Sequence, residues 1–333
     1  MEILHIQRRP LSTHFSIEGY FERLREHLPR ETKTTLVVLP WHSRGLLRRL
    51  GNLLSVLRYR NKLCHITGDV HYVALMLARD RTILTVHDCE ILHRLRGWRR
   101  AIVKLFWYTL PIRCVCQITV NSEETKRQLL KVVNYPPERI HVIPVSVSPV
   151  HRPDPRPFNT DCPRILQVGT KANKNVPRLV QALKGIRCHL DIVGPVDTAL
   201  RTLLQDSGVP WTAWGRLTDE ELAERYRHAD LLAFVSTHEG FGMPIVEAQC
   251  TERVCITSNC SSMPEVAGAG ACLVDPFDVS SIRTGIERVI KDPHYRDQLL
   301  AAGRINRQRF EPKRIADQFL GVYKAIVSPD ACD

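Results

Sequence analysis

The chain has 333 residues, 44% hydrophobic and 25% charged, which is enough for two folded domains and is not the composition of a disordered protein. No apolar run approaches the roughly 18 residues needed to cross a bilayer, and the start "MEILHI" lacks the blocks of a secretory signal, so neither a spanning helix nor a leader is expected. The charge is lopsided: residues 1–160 hold 26 Lys and Arg against 13 Asp and Glu, while residues 161–333 hold 21 against 22, so the excess behind the net +12 lies on one half. Nucleic acid, anionic lipid and a phosphorylated substrate are all partners such a basic half could face.

Short β-rich runs then recur in order: "TLVVLP", "CHITG", "TILTVHD", "QITVNS" and "IHVIP". Helical spacing separates them, as in "SEETKRQLLKVV", which follows "ITVN". This alternation predicts a parallel sheet with covering helices. Two of the helical stretches, residues 44–60 and 93–111, are apolar on one side and basic on the other. In the second of these, Leu95, Trp98, Ile102, Leu105 and Phe106 share a face, and Arg96, Arg100 and Lys104 lie opposite, with Arg94 and Arg99 at the flanks. Either the apolar faces pack on the sheet and the basic ones are merely solvated, or the basic faces dock on anionic lipid.

Residues 144–163 carry six prolines in twenty positions, which reads as a linker. The pattern restarts with "RILQVG", "CHLDIVG", "LLAFVS", "RVCITS" and "ACLVD", interrupted by helices such as "NKNVPRLVQAL" and "TDEELAERYRHA". The expected architecture is therefore α/β, with two Rossmann-like domains facing across a cleft: residues 1–150, a linker over 151–163, and residues 164–333. A last helix over about 311–326 could pack back on the first domain, and the tail "VSPDACD" is expected to fray. Eleven cysteines sit mostly inside apolar runs without a C-x-x-C pair, which points to a reducing, cytoplasmic setting and to no zinc site.

The chemistry concentrates in "STHEGFGMPIVEAQC", residues 236–250. Gly240 and Gly242 allow a tight turn, and Pro244 suits a first helical position. Glu239 in the turn and Glu247 in the first helical turn would flank one helix mouth, where the amides of Phe241, Gly242 and Met243 favour an anion. Hydroxyl acceptors beside phosphate donors describe a sugar-nucleotide pocket. The plainer reading leaves Glu247 serving the helix dipole and Glu239 solvated.

This turn, with its second glutamate eight residues on, resembles the donor-site motif of retaining glycosyltransferases of the GT-B fold, family 4 in particular. The resemblance implies that Glu239 contacts the transferred sugar and Glu247 the ribose hydroxyls. "ILQVGTKANKNVPRLVQALKG" is similar to the family's opening strand of the second domain and the lysine-bearing loop after it. Gly169, Thr170 and Lys171 would line the donor site, and Lys174 would neutralise the diphosphate. Asn173 stands where many members carry arginine, so Lys171 or Arg178 is the alternative source of a second charge. "SNCSSMPEVAGAGACLVDPFD" also resembles the family, but "SSMPE" is read as a loop and helix start, and Glu265 is left out of the catalytic set.

In the first domain, "TILTVHDCEILHR" resembles the family's H-D segment, which implies that His87 faces the reacting sugar. Asp88 either orients the His87 ring or simply begins the next turn. Asp69 and His71, at another strand end, are candidates for the acceptor side. The glycine pair common near the family's first strand end is missing; "QRRPLSTHFSIEGYFERL" offers Arg8, Arg9, Ser12 or Ser16 there without an assigned role.

The resulting expectation is a retaining, metal-independent hexosyltransferase with no cofactor. It would take a nucleoside-diphosphate sugar and a saccharide or lipid-linked acceptor in cell-surface glycan synthesis. Its place would be cytoplasmic, with peripheral attachment to the inner face of the cytoplasmic membrane as the extension of the lipid-docking reading. No D-x-D metal anchor occurs in the sequence. A dehydrogenase would need G-x-G-x-x-G after a first strand, and "VGTKANKN" and "HIQRRPLS" both fail. A GT-B phosphorylase or epimerase is an alternative. A basic nucleic-acid-binding protein is another, but no recognised motif or aromatic platform supports it, and no nucleic acid is expected.

Overall fold

The computed structural model describes residues 1–10 and 16–327. Two compact units divide the chain. The first takes residues 1–146 and the chain from Glu311 onward; the second runs from Val147 to Phe310.

Six parallel strands form the first sheet: β1 (Glu2–Gln7), β2 (Lys33–Val38), β3 (Cys64–Ile66), β4 (Thr82–Val86), β5 (Gln117–Val120) and β6 (Ile140–Val142). Their spatial order is β2-β1-β3-β4-β5-β6. Every residue of "TILTV" in β4 is buried, as expected for a strand covered on both faces. The edge strand β2 instead leaves Leu36 and Val38 exposed. Ile6, Ile66, Leu84, Ile118 and Leu129 are among the residues of this unit's core. The helix Glu123–Val132 starts where Ser122 Oγ accepts from the Thr125 amide.

The second sheet contains β7 (Arg164–Val168), β8 (His189–Val193), β9 (Trp211–Trp214), β10 (Leu231–Phe234), β11 (Val254–Ser258) and β12 (Cys272–Val274). All pairs are parallel and the order is β12-β11-β10-β7-β8-β9, the doubly wound order of dinucleotide-binding folds. Leu190, Ile192, Val180, Ile256 and Ile286 contribute to its core. "TDEE" opens the helix Asp219–His228 through a full capping box between Thr218 and Glu221.

Three sequence expectations change. The proline-rich segment forms no strand or helix, yet from Val147 it belongs to the second unit rather than hanging free. Asp154 accepts from the buried Arg253 guanidinium at 2.7 Å, and the Asn159 amide donates to Asp230 at 3.1 Å. Residues 93–111 are not one helix with an apolar face on the sheet. Gly97, at φ +58°, interrupts it, and the helix Gly97–Val103 leads into a π-helical stretch, Lys104–Thr109. Trp98, Ile102, Leu105 and Phe106 are exposed there. β9, four residues at a sheet edge, was not expected from its sequence "WTAW".

The last helix, Pro312–Val327, lies in the first unit, so the second unit ends at Phe310 rather than at the chain end. Phe319 and Tyr323 are buried, and the Tyr323 hydroxyl bonds His65 Nδ1 at 2.8 Å and His5 Nε2 at 3.2 Å. His65 Nε2 continues the chain to Thr85 Oγ1 at 2.7 Å. Burial lowers both histidines, His5 to about 3. Of the tail "VSPDACD", expected to fray, Val327 ends the helix and residues 328–333 lie outside the described residues.

Candidate active site

In a doubly wound sheet, ligands bind outside the carboxyl ends of the strands where the winding reverses. In the second unit that point falls between the neighbouring strands β7 and β10. The loop after β7 carries Gly169 to Asn175, and the loop after β10 carries Ser236 to Gly242. Residues 65 positions apart therefore meet here.

Backbone geometry shapes the first loop. Gly169 has φ +90°, and a Cβ there would lie 2.9 Å from Lys174 Cε, so only glycine lets the lysine stem pass. The Gly169 amide donates to Val193 O at 2.7 Å, and Thr170 Oγ1 donates to Pro195 O at 2.6 Å. Asn175 adopts the left-handed region and ties the loop across to the other strand end, donating to Val235 O at 3.0 Å and Pro276 O at 2.7 Å. Lys174 Nζ, thus placed, donates to Glu239 Oε1 at 2.7 Å and lies 4.4 Å from the centre of the Phe234 ring.

Glu239 is held from several sides. Asn173 Nδ2 donates to its Oε1 at 3.1 Å and to His238 O at 2.9 Å. Ser261 Oγ and Ser262 Oγ donate to Glu239 O at 2.8 and 3.0 Å, and Ser262 also donates to Phe241 O at 2.7 Å. "SSMPE", read from the sequence as a loop and helix start, also supports the Glu239 turn; no spacing rule announces this. Phe241 is buried edge-on against Phe310 and anchors the turn from below. Gly242, at φ +110°, then caps the helix Met243–Cys250 without a side-chain cap. The positive end of that helix therefore faces the same mouth as Lys174 and Glu239.

Glu247 sits differently from the expectation. The helix begins at Met243, so Glu247 is its fifth residue and lies beyond the first turn. It is buried and accepts from the Tyr226 hydroxyl at 2.8 Å. Burial and that carboxylate push the tyrosine well above its ordinary range. Arg178 is engaged too, donating to Asn175 Oδ1 at 2.9 Å, whereas Lys171 is exposed at the lip of the loop. Glu265 stays where the sequence put it, in the first turn of the short helix Met263–Ala267.

In the first unit, His87 follows β4, and its Nε2 donates to Thr67 O at 3.0 Å. Asp88 begins the next turn, accepting from the Glu90 amide at 2.9 Å. Asp69 accepts from Arg8 at 3.2 Å. His71 is inside: its Nδ1 donates to Trp107 O at 2.8 Å, its ring meets Tyr108 edge-on, and burial lowers its pKa. It is buried in the core of the first unit. Arg96, Arg99, Arg100 and Lys104 are exposed, and the side chain of Arg94 lies outside the described residues, as do Ser12 and the Ser16 side chain. Among the described residues, no group of three or more His, Cys, Asp or Glu is placed to hold a metal ion.

Two family models match consecutive parts of the chain, "Glycosyltransferase Family 4" over residues 13–150 and "Glycosyl transferases group 1" over residues 152–305. The chain belongs to the family 4, group 1 glycosyltransferases. O-antigen chain mannosyltransferase B of Escherichia coli is 27% identical over 237 residues, 62% of this chain and 59% of that protein. MMP alpha-(1->4)-mannosyltransferase of Mycolicibacterium hassiacum is 28% identical over 265 residues, 71% of this chain and 62% of that one. The chain thus matches about 60% of the length of these curated relatives. Anabaena HepE, solved with UDP and glucose, superposes with a TM-score of 0.78 at 15% identity, covering 98% of this chain and 100% of that one. Sucrose-phosphate synthase from Thermosynechococcus elongatus gives 0.76 at 18%, covering 98% and 99%. The family's fold is GT-B, and this chain has it.

Proposed function

We propose that the protein transfers a hexose from a nucleoside-diphosphate sugar to a saccharide or lipid-linked acceptor in cell-surface glycan synthesis, with retention of configuration and without a metal ion. One observation carries the reading: Lys174 and Glu239 meet at 2.7 Å beside an uncapped helix N-terminus, at the switch point of a doubly wound sheet. Cation and helix end suit a diphosphate, and the carboxylate suits sugar hydroxyls. The relatives' names put mannose first among the sugars to test, and the name of the E. coli relative supports a glycan product.

During transfer the bond from the anomeric carbon to the diphosphate oxygen breaks, and its electron pair leaves with the diphosphate. The acceptor oxygen forms the new bond and gives its proton to the departing phosphate on the same face. Lys174 and the amides ahead of Met243 oppose the charge that grows on the leaving group, the role a metal ion has in other enzymes. Incubation with radiolabelled sugar nucleotides, in the presence and absence of a chelator, tests the activity and the metal independence together. Proton NMR of the product tests retention; an inverted product would contradict the reading.

The basic helices favour attachment to an anionic bilayer. Leu46 and Leu47 are 82% and 85% exposed and Trp98 is 69% exposed, far beyond what packing on the sheet would leave. Arg48, Arg58, Arg60, Arg96, Arg99 and Arg100 are exposed with them, and Arg49 lies 4.8 Å over the Trp107 ring, joining the two segments. Apolar side chains interleaved with arginines suit the interface of acyl chains and anionic headgroups. No helix among the described residues is long and apolar enough to cross a membrane.

A further inference from the structure

The pair Arg8 and Arg9 remains without a role, although it directly follows β1, where the family's glycines are missing. The first sheet, in the order β2-β1-β3, also reverses its winding, and its switch point lies between β1 and β3. A pocket of about 160 Å³ opens there, lined by Arg8, Arg9, His42, Ser43, Arg44 and Asp69. We propose that this pocket binds a phosphoryl group, and that the acceptor of the transfer carries one.

Charge and geometry agree on that ligand. Arg8, Arg9, Arg44 and His42 line the pocket with Asp69; Arg8 is paired with Asp69 and, through two hydrogen bonds, with Glu18, so Arg9 and Arg44 supply the charge left for a ligand. Arg8 is fixed rather than mobile: its Nε donates to Glu18 at 2.8 Å and its Nη1 to Asp69 at 3.2 Å. Arg9 spends one N–H on Pro40 O at 2.9 Å, leaving the rest of its fork for a ligand. Arg44 is exposed and makes no ion pair among the described residues. The helix Leu46–Val56 starts two residues later with Gly45 as an N-cap that supplies no side-chain acceptor, so its positive end adds to the field. A planar guanidinium fork matches phosphate oxygens better than it matches neutral hydroxyls. The exposed Leu46 and Leu47 beside the pocket would accommodate a phosphate borne on an apolar chain, and a sugar phosphate offers the same group.

The pocket's ligand stands on its own, and only the word acceptor rests on the transferase reading. Calorimetric titration of the full chain separates the two. With a nucleoside diphosphate saturating the donor site, mannose 6-phosphate and monomeric dihexanoyl phosphatidic acid are titrated as the soluble and lipid-borne forms of the group. The wild type should bind at least one, and Arg9→Ser/Arg44→Ser should weaken that binding by about tenfold or more, as expected for lost charged hydrogen bonds. Nucleoside-diphosphate affinity and melting temperature should stay unchanged in that variant. Arg30→Ser/Lys33→Ser, where β2 begins and away from the pocket, should bind the phosphates as the wild type does. Tighter binding of the phosphatidic acid identifies a lipid-borne acceptor, and tighter binding of the sugar phosphate a soluble one. No phosphate binding with the donor site filled, or an equal loss in both double variants, overturns the proposal. A loss of nucleoside-diphosphate affinity in the Arg9/Arg44 variant also overturns it, since the arginines would then serve the donor. If no nucleoside diphosphate binds the wild type, the transferase reading falls, while the comparison of variants still decides the pocket.

Discussion

Exchanging Glu239 for glutamine separates sugar binding from nucleotide binding. In the structure Lys174 spends its charge on Glu239 Oε1 at 2.7 Å, and both side chains are about one-sixth exposed, at 16% and 14%. Exposed pairs contribute about 0–1 kcal/mol, and breaking a fully buried pair costs about 3–5 kcal/mol. This half-buried pair lies between, at about 1–2 kcal/mol, and glutamine still accepts the lysine hydrogen bond. Releasing the lysine charge should therefore tighten a nucleoside diphosphate by about 1 kcal/mol, roughly fivefold, while transfer is lost because the sugar loses its charged acceptor. Lys174→Met removes the cation and leaves Glu239 facing the diphosphate, so affinity should fall by about 1.5–3 kcal/mol, roughly 10- to 150-fold. Calorimetry of both variants with the diphosphate that binds the wild type reads the difference, and radiolabel transfer reads activity. Equal weakening by both substitutions would refute the division of roles.

Glu247→Ala should lower stability as well as nucleotide affinity, by about 1–3 kcal/mol, because it takes the carboxylate from the buried Tyr226 hydroxyl. Tyr226→Phe restores a matched apolar interior, and adding it to Glu247→Ala should recover part of the melting temperature; no recovery would count against the coupling. The protein should sediment with phosphatidylglycerol vesicles and be released by about 0.5 M salt, since each basic residue near an anionic surface is worth about 1 kcal/mol. Arg96→Glu/Arg100→Glu should abolish that sedimentation, and a protein that stays in the supernatant at low salt refutes attachment. Stability should fall on acidification below about 6.5, the ordinary value of an unfolded histidine, because His5 titrates in the fold only at about 3. In that window the unfolded chain binds more protons than the native one, at up to about 1.4 kcal/mol per pH unit per histidine. His5→Phe should flatten the slope of melting temperature against pH; an unchanged slope would place the effect elsewhere.

The strand pattern was legible because central strands of a parallel sheet are buried on both faces and read as unbroken apolar runs, as "TILTV" and "VCITS" do. β9 escaped because an edge strand of four residues, with none of them fully buried, leaves no such run. The helix over 93–111 misled because periodicity reports which side chains share a face and says nothing of what covers it. At the site, Gly169, Lys174, Glu239 and Gly242 could be found from local motifs. Asn175, Ser261, Ser262 and Tyr226 could not, since each acts on a residue of a distant segment: Asn175 on Val235 O, the serines on Glu239 O, and Tyr226 on Glu247.

Separating the charge between the units sharpens what the basic half is for. If the family's donor chemistry accounted for it, the excess would lie on residues 147–310, where Lys174 and the helix Met243–Cys250 sit. That part of the chain is close to neutral, and its site lysine is already paired with Glu239. The surplus arginines lie on the first unit, at its switch-point pocket and on the two segments with exposed leucines and aromatics. A donor site needs one well-placed cation that can move from carboxylate to phosphate. The proposed surface for an anionic lipid, and the proposed pocket for a phosphate, would need many.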